Sequence, residues 1–278
     1  MRRLSMALLA GIAIFGLART ALADDQPFIS LYTTDIEAAQ EKEIEQRILF
    51  SAQKPGEAYA GIESNTAFEY GVTDDFQVSL YGNVEWEREH EHAPLAPAQS
   101  EHEFGVSGEA IYRFLNVYFD PVGFAVYLEP SYTANSRELE AKILLQKNFF
   151  NDDLRLAFNA NFENQWNRDA GIWHRSNAIE LRFGAAYNVT PEWSLCAEFS
   201  NENEFDGLVG GAHPVSNLYY VGPTISYKGL PLTISLGAQA QLPWANDQTH
   251  TPGAIRDGYS VDAERWRVGL MISRDVQL

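Results

Sequence analysis

Residues 76–87 read FQVSLYGNVEWE. Phe76, Val78, Leu80, Gly82, Val84 and Trp86 share one parity; Gln77, Ser79, Tyr81, Asn83, Glu85 and Glu87 share the other. Successive side chains of an extended chain point to opposite faces, so this stretch makes a β-strand with one apolar and one polar side. Segments of about ten residues with this period, repeated between turn signals, are the signature of transmembrane β-strands.

The pattern recurs on both sides of that stretch. Phe104, Val106, Gly108, Ala110, Tyr112 and Phe114 stand opposite Glu103, Ser107, Glu109 and Arg113; Leu154, Leu156, Phe158, Ala160 and Phe162 alternate with Arg155, Asn159, Asn161 and Glu163. The whole set predicts about twelve strands near 43–53, 60–71, 76–87, 103–114, 122–134, 138–149, 153–164, 177–188, 193–202, 216–227, 231–242 and 264–278. An even count suits a closed bacterial barrel. Short turns at 72–75, 115–121, 150–152, 189–192 and 228–230 alternate with longer polar stretches at 88–102, 165–176, 203–215 and 243–262, which hold all six histidines. The expected fold is therefore all-β, a transmembrane antiparallel β-barrel with short periplasmic turns and longer extracellular loops. Aromatics gather at both strand ends, as interfacial girdles do: Trp86, Trp166, Trp173, Trp244 and Trp266 at the long-loop rim, Tyr70, Phe76, Phe114, Tyr187 and Trp193 at the other. Pro130 and Pro223 fall inside predicted strands and are expected to mark bulges or strand ends.

Arg2 and Arg3, an apolar run from Met6 to Leu17, and Ala21-Leu22-Ala23 before Asp24 describe a secretory signal peptide over 1–23. Residues 24–42 then read as an N-terminal periplasmic segment and 43–278 as the barrel. The 278 residues carry 20 Lys and Arg against 38 Asp and Glu, a net charge of −18; loss of Arg2, Arg3 and Arg19 makes it −21. That balance excludes nucleic acid as a partner, since phosphate binding needs clustered cations. Hydrophobic residues at 45% and a single cysteine, Cys196, exclude disorder and a disulfide scaffold. A mean hydropathy of −0.26 also suits a soluble exported β-sandwich or β-barrel with one buried face, the alternative for the same alternation. Strand number, girdles and loop asymmetry together favour the membrane barrel.

Three stretches, AFEYGVTDDFQVSLYGN (67–83), EAIYRFLNVYFDPVGFAVYLEPSYT (109–133) and RELEAKILLQKNFFNDDLRLAFNANFE (137–163), resemble a family of proteobacterial outer-membrane β-barrels, porin-like and mostly uncharacterised. The resemblance implies an exported outer-membrane barrel and transfers no catalytic or ligand residue.

Inward parity predicts a lumen lined by charges of both signs, with Glu109, Arg113, Glu129, Lys142, Arg155, Glu180, Arg182, Glu198 and Arg267 as the candidate constriction. Twelve strands leave a bore that long side chains either line or obstruct. The expectation is a narrow porin-like channel for small solutes in the outer membrane, with no enzymatic activity and no cofactor. Its partners are outer-membrane lipid and lipopolysaccharide, the outer-membrane assembly machinery and small solutes. A structural or surface-interaction barrel without conductance stays open as the alternative. His174-Arg175-Ser176-Asn177 resembles the His-x-Ser-Asn of outer-membrane phospholipase A, but Ala178 departs from that pattern and parity turns His174 and Ser176 toward the lumen or the loop. Glu89-His90-Glu91-His92 with Glu101-His102-Glu103 offers metal-ligand chemistry in one polar loop; a solvated loop explains it equally, and no metal is assigned. Cys196 reads as a small inward residue, and 201–206 as an acidic loop.

Overall fold

The computed structural model describes residues 26–54, 57–91, 99–169, 171–207, 213–229 and 232–276; the signal peptide and Leu278 lie outside them. Twelve long strands form one antiparallel sheet: β1 (Lys42–Lys54), β2 (Glu57–Thr73), β3 (Phe76–Glu91), β4 (Gln99–Leu115), β5 (Gly123–Thr133), β6 (Ser136–Phe149), β7 (Leu154–Asp169), β8 (Ile172–Asn188), β9 (Trp193–Asp206), β10 (His213–Gly229), β11 (Leu232–Gln241) and β15 (Trp266–Asp275). Three two-residue strands, β12 (Asn246–Asp247), β13 (Ile255–Arg256) and β14 (Tyr259–Ser260), lie in the connection between β11 and β15. Each long strand pairs with its sequence neighbours, and β15 pairs with both β11 and β1, so the sheet closes. Closure leaves no strand edge unpaired in hydrocarbon, where an open sheet could not satisfy its backbone N–H and C=O groups. β12 adds to the upper end of β10 through Ser216↔Asp247 and Asn217↔Asn246.

Burial is inverted relative to a protein dissolved in water. In β11, Thr233, Ser235, Gln239 and Gln241 are buried while Leu236 stands 49% exposed. Leu80, Phe104, Val106 and Val268 are likewise exposed on the outer face. Lipid solvates these side chains, and the polar parity must satisfy itself inside.

Strands run further toward the long-loop rim than the apolar period marks. β3 reaches Glu91, β7 and β8 leave only 170–171 of the expected 165–176 loop, and β9 carries through Asp206. The acidic stretch 201–206 is therefore strand rather than loop. Its Glu202 points inward to Arg267, and Asn203 lies on the outer parity. Above the bilayer both faces meet water, so the alternation loses its apolar member and the sequence signal stops before the strand does.

Both prolines sit mid-strand, in gaps of a ladder and without a register shift. β4–β5 pairing skips from Ser107↔Ser131 to Ala110↔Leu128 around Pro130, and β10–β11 pairing from Val221↔Ala240 to Thr224↔Gly237 around Pro223. Neither is a bulge or a strand end. The missing N–H faces the gap, and the other ladder stays continuous, with Pro223↔Ala197 and Pro130↔Leu139 in place. Pro223→Ala is accordingly expected to change unfolding free energy by no more than about 1 kcal/mol, because no ladder bond is regained. Urea titration of the folded barrel by heat-modifiability checks this, and a larger loss would show that the ring itself braces the gap.

Candidate functional site

The sequence places residues 24–42 outside the barrel as a periplasmic segment; in the structure 26–37 run through its interior. The segment begins beside Cys196 and Ser235, fourth in their strands from the short-turn rim, where Pro27 O and Gln26 O accept from the Cys196 thiol and the Ser235 hydroxyl. It crosses the bore and leaves by the opposite wall, where Ala39 N donates to Asp74 and Gln40 N to Gly71 O. Both ends thus lie near the short-turn rim, and the apex, Ser30 to Tyr32, stands deeper. We call it the arch.

The arch has no strand partner, so its backbone groups are met by inward side chains of the wall. Glu198 of β9 accepts from Ile29 N (3.0 Å), Ser30 N (2.9 Å) and Ser30 Oγ (2.6 Å). Asn159 of β7 takes both groups of Tyr32, accepting from its N–H at 2.7 Å and donating to its carbonyl at 2.9 Å. Gln146 of β6 accepts from Thr34 N, Gln77 of β3 from Glu37 N, and Arg182 of β8 donates to Ser30 O. These amides and acids stand in for a neighbouring strand.

Apolar contacts supply the rest. Phe28 and Leu31 pack with Ala157, Ala186 and Cys196, and Ile36 with Ile111, Ala125, Tyr127 and Leu144. Burying side chains of this size contributes about 1.5–3 kcal/mol each. Two inward glycines are required by close approach: a Cβ on Gly184 would stand 2.7 Å from the Phe28 ring, and one on Gly237 2.8 Å from Ile29. These small and apolar residues occupy the parity that otherwise carries polar groups.

Above the arch lies a cavity of about 480 Å³. Ile29, Ser30 and Tyr32 form part of its lining, with Tyr81 and Tyr127; the Tyr32 and Tyr127 rings lie 5.2 Å apart. Seven carboxylates line it (Glu63, Glu85, Glu103, Glu129, Glu138, Glu140, Glu163) against four cations (Arg47, Lys142, Arg182, Arg267). Each cation is held in an ion pair: Arg47–Glu45 at 2.5 Å, Lys142–Glu140 at 2.7 Å, Arg182–Glu180 at 2.5 Å and Arg267–Glu202 at 2.5 Å. Among the described residues only Glu140 of the seven lining acids is so paired, so acidic side chains outnumber the cations in this lining. The connection before β15 narrows the upper lumen further, with Ala263 packed on Leu218 and Tyr220.

The nine residues read from parity separate by depth. Lys142, Arg182, Arg267 and Glu129 line the cavity, and Lys142 also lies 4.6 Å over the Tyr32 ring. Glu198, Arg182 and Arg155 face the arch, Arg155 pairing with Asp35 at 3.8 Å. Glu109 accepts from Ser79 and Tyr81, Glu180 from Asn161, and Arg113 sits apart at the short-turn rim against Asp75. Sequence reasoning missed the arch residues and their aromatic and apolar seats. The available signal was Ile111, Ala125, Leu144, Ala157 and Ala186 at inward positions.

Ser176 Oγ donates to Gln165, a cavity-lining residue, at 3.5 Å, which places this serine on the lumen side. Of the metal-type loop, Glu89 pairs with Lys54 at 2.6 Å, and His92 lies outside the described residues. Carboxylate oxygens of Glu37, Glu43 and Asp275 approach within 4.8 Å of one another where the arch leaves the lumen. In the upper connection the partly exposed Asp247 accepts from Thr249 and Thr251, and these hydrogen bonds hold its carboxyl below the ordinary value.

A family model matches residues 20–271. The chain belongs to DUF6662, a family of unknown function. No curated protein matches this DUF6662 chain. Among solved structures it is similar to the COG4313 outer membrane channel from Pseudomonas putida F1, with a TM-score of 0.58 at 13% identity over 86% of this chain and 97% of that one. It is also similar to the translocator domain of the autotransporter NalP from Neisseria meningitidis, with a TM-score of 0.53 at 8% identity over 86% and 88%. At such identities the likeness shows the fold: the DUF6662 chain is a β-barrel of the outer-membrane type.

Proposed function

We propose that the protein is a narrow channel of the outer membrane for small, positively charged solutes, with its long-loop rim outside the cell. The observation that carries this reading is the cavity with seven acids around four already paired cations. A low-dielectric wall focuses that field and raises the local concentration of cations. The ion-paired Arg47, Lys142, Arg182 and Arg267 fix the shape of the passage, and the arch leaves only a small cross-section below it.

The arch also favours a second reading, a barrel that is sealed and serves as a structural or surface element. Planar-bilayer recordings in a potassium chloride gradient separate the two. The channel reading expects small, reproducible conductance with a reversal potential on the cation side, shifted toward zero by the Glu63→Gln/Glu85→Gln double variant. Anion selectivity would overturn the cation-channel reading, and silence of both the intact barrel and a barrel lacking the arch would leave the sealed reading standing.

A further inference from the structure

At the long-loop end of β5–β8, one row of side chains alternates aromatic and cationic. Tyr132↔Arg137, Arg137↔Trp166 and Trp166↔Arg175 are successive register partners across four strands. The Arg137 guanidinium lies 5.4 Å from the Tyr132 ring and 5.0 Å from that of Trp173, and Arg175 lies 4.7 Å over Trp166. Arg168, opposite Trp173, adds a third cation. Tyr132 shares the parity of the exposed Val126 and Leu128 and is itself 53% exposed, so the row looks outward, away from the lumen. Because the β5–β6 connection is only 134–135, the row stands open at the very top of that hairpin.

The charge state of this row is unusual for the chain. In a protein with 38 acids, none of Arg137, Arg168 and Arg175 forms an ion pair with a carboxylate among the described residues. Arg175 Nε has no hydrogen-bond partner. One row nearer the membrane centre, Asn164 donates to Asn177, which leaves Nδ2 of the buried Asn177 without an acceptor and Oδ1 of Asn164 without a donor. The arginines of this patch therefore lack carboxylate partners, and the residues beside and below it, Leu139, Phe162 and Ile143, are exposed and apolar.

We propose that this face is a binding site for a phosphorylated glycolipid of the outer leaflet. Guanidinium groups bind phosphate through two parallel hydrogen bonds, and their aromatic neighbours hold them in plane. Acyl chains lie along the exposed Leu139, Ile143 and Phe162. The site faces lipid rather than the bore, so it is independent of the channel reading.

Native mass spectrometry of the full-length barrel in detergent tests it, with a bisphosphorylated lipid A, its dephosphorylated form and inorganic phosphate as probes. Intact protein is expected to bind the bisphosphorylated lipid at least about tenfold more tightly than the dephosphorylated one. Arg137→Gln/Arg175→Gln should erase that preference, whereas Lys147→Gln, a change at the opposite rim, should keep it. Heat-modifiability confirms that each variant is folded, and Arg137→Gln alone, with a partial loss, serves if the double variant fails to assemble. Equal binding of the two lipids, retention of the preference by the arginine variants, or full displacement by millimolar inorganic phosphate would each overturn the proposal.

Discussion

Deletion of residues 26–37, with the signal peptide kept, is expected to raise single-channel conductance by roughly an order of magnitude, since conductance of a short pore follows its narrowest cross-section. The arch spans the bore from the β9–β11 wall to the β2–β3 wall, with Phe28 and Leu31 in one apolar cluster of the wall and Ile36 in another. The barrel should still close, because every pairing from β1 to β15 is made between strands. It should also be less stable: three buried apolar side chains at about 1.5–3 kcal/mol each are lost, and their seats are left open. Cys196 provides a reading that does not depend on current. The chain's single cysteine is 6% exposed and packed against Phe28, so a small maleimide should label it slowly in the intact barrel and fully after the deletion. A folded deletion barrel that labels at Cys196 yet conducts no better would show that the ion-paired upper lumen, and not the arch, limits passage.

The fold was legible because lipid enforces it. Leu80 or Val106 cannot change parity without placing a polar neighbour in hydrocarbon, so the period survives in all twelve membrane-crossing segments. Where the solvent becomes water on both faces, as along Gln165–Asn167 and Glu202–Glu204, that constraint lapses and the strand ends could not be read. The arch escaped for a different reason. Residues 26–37 have no period, and their hydrogen-bond partners are scattered over six strands, from Gln77 to Gln239. Parity put Glu198 and Arg155 on the inner wall, yet it carries no word about what they meet there, since a carboxylate facing water and one gripping two backbone N–H groups have the same spacing. The departures from parity held more information than the pattern. An apolar Leu144 or a glycine such as Gly237 on a polar wall marks the footprint of something docked against it.

Glu198→Ala should release the apex of the arch, with on the order of a hundredfold faster labelling of Cys196 when docking is weakened by about 3 kcal/mol. Glu198 is 2% exposed, and its carboxylate accepts from Ile29 N, Ser30 N, Ser30 Oγ and Thr224 Oγ1. Hydrogen bonds to a charged group contribute about 1.5–3 kcal/mol each, so three arch donors sum to more than the expected loss. Two effects reduce it: the buried charge no longer incurs desolvation, and water entering from the cavity satisfies part of what remains. Glu198→Gln keeps an acceptor of the same shape and should fall between, near tenfold. Labelling follows the population of the undocked arch as long as redocking outpaces the reagent. The unfolding midpoint of the strands should move less than the labelling rate, because the pairing of β9 with β8 and β10 does not involve the carboxylate. Equal rates in Glu198→Ala and the parent barrel would mean that Phe28 in its pocket holds the arch without help from the apex, and Phe28→Ala would then carry the larger effect.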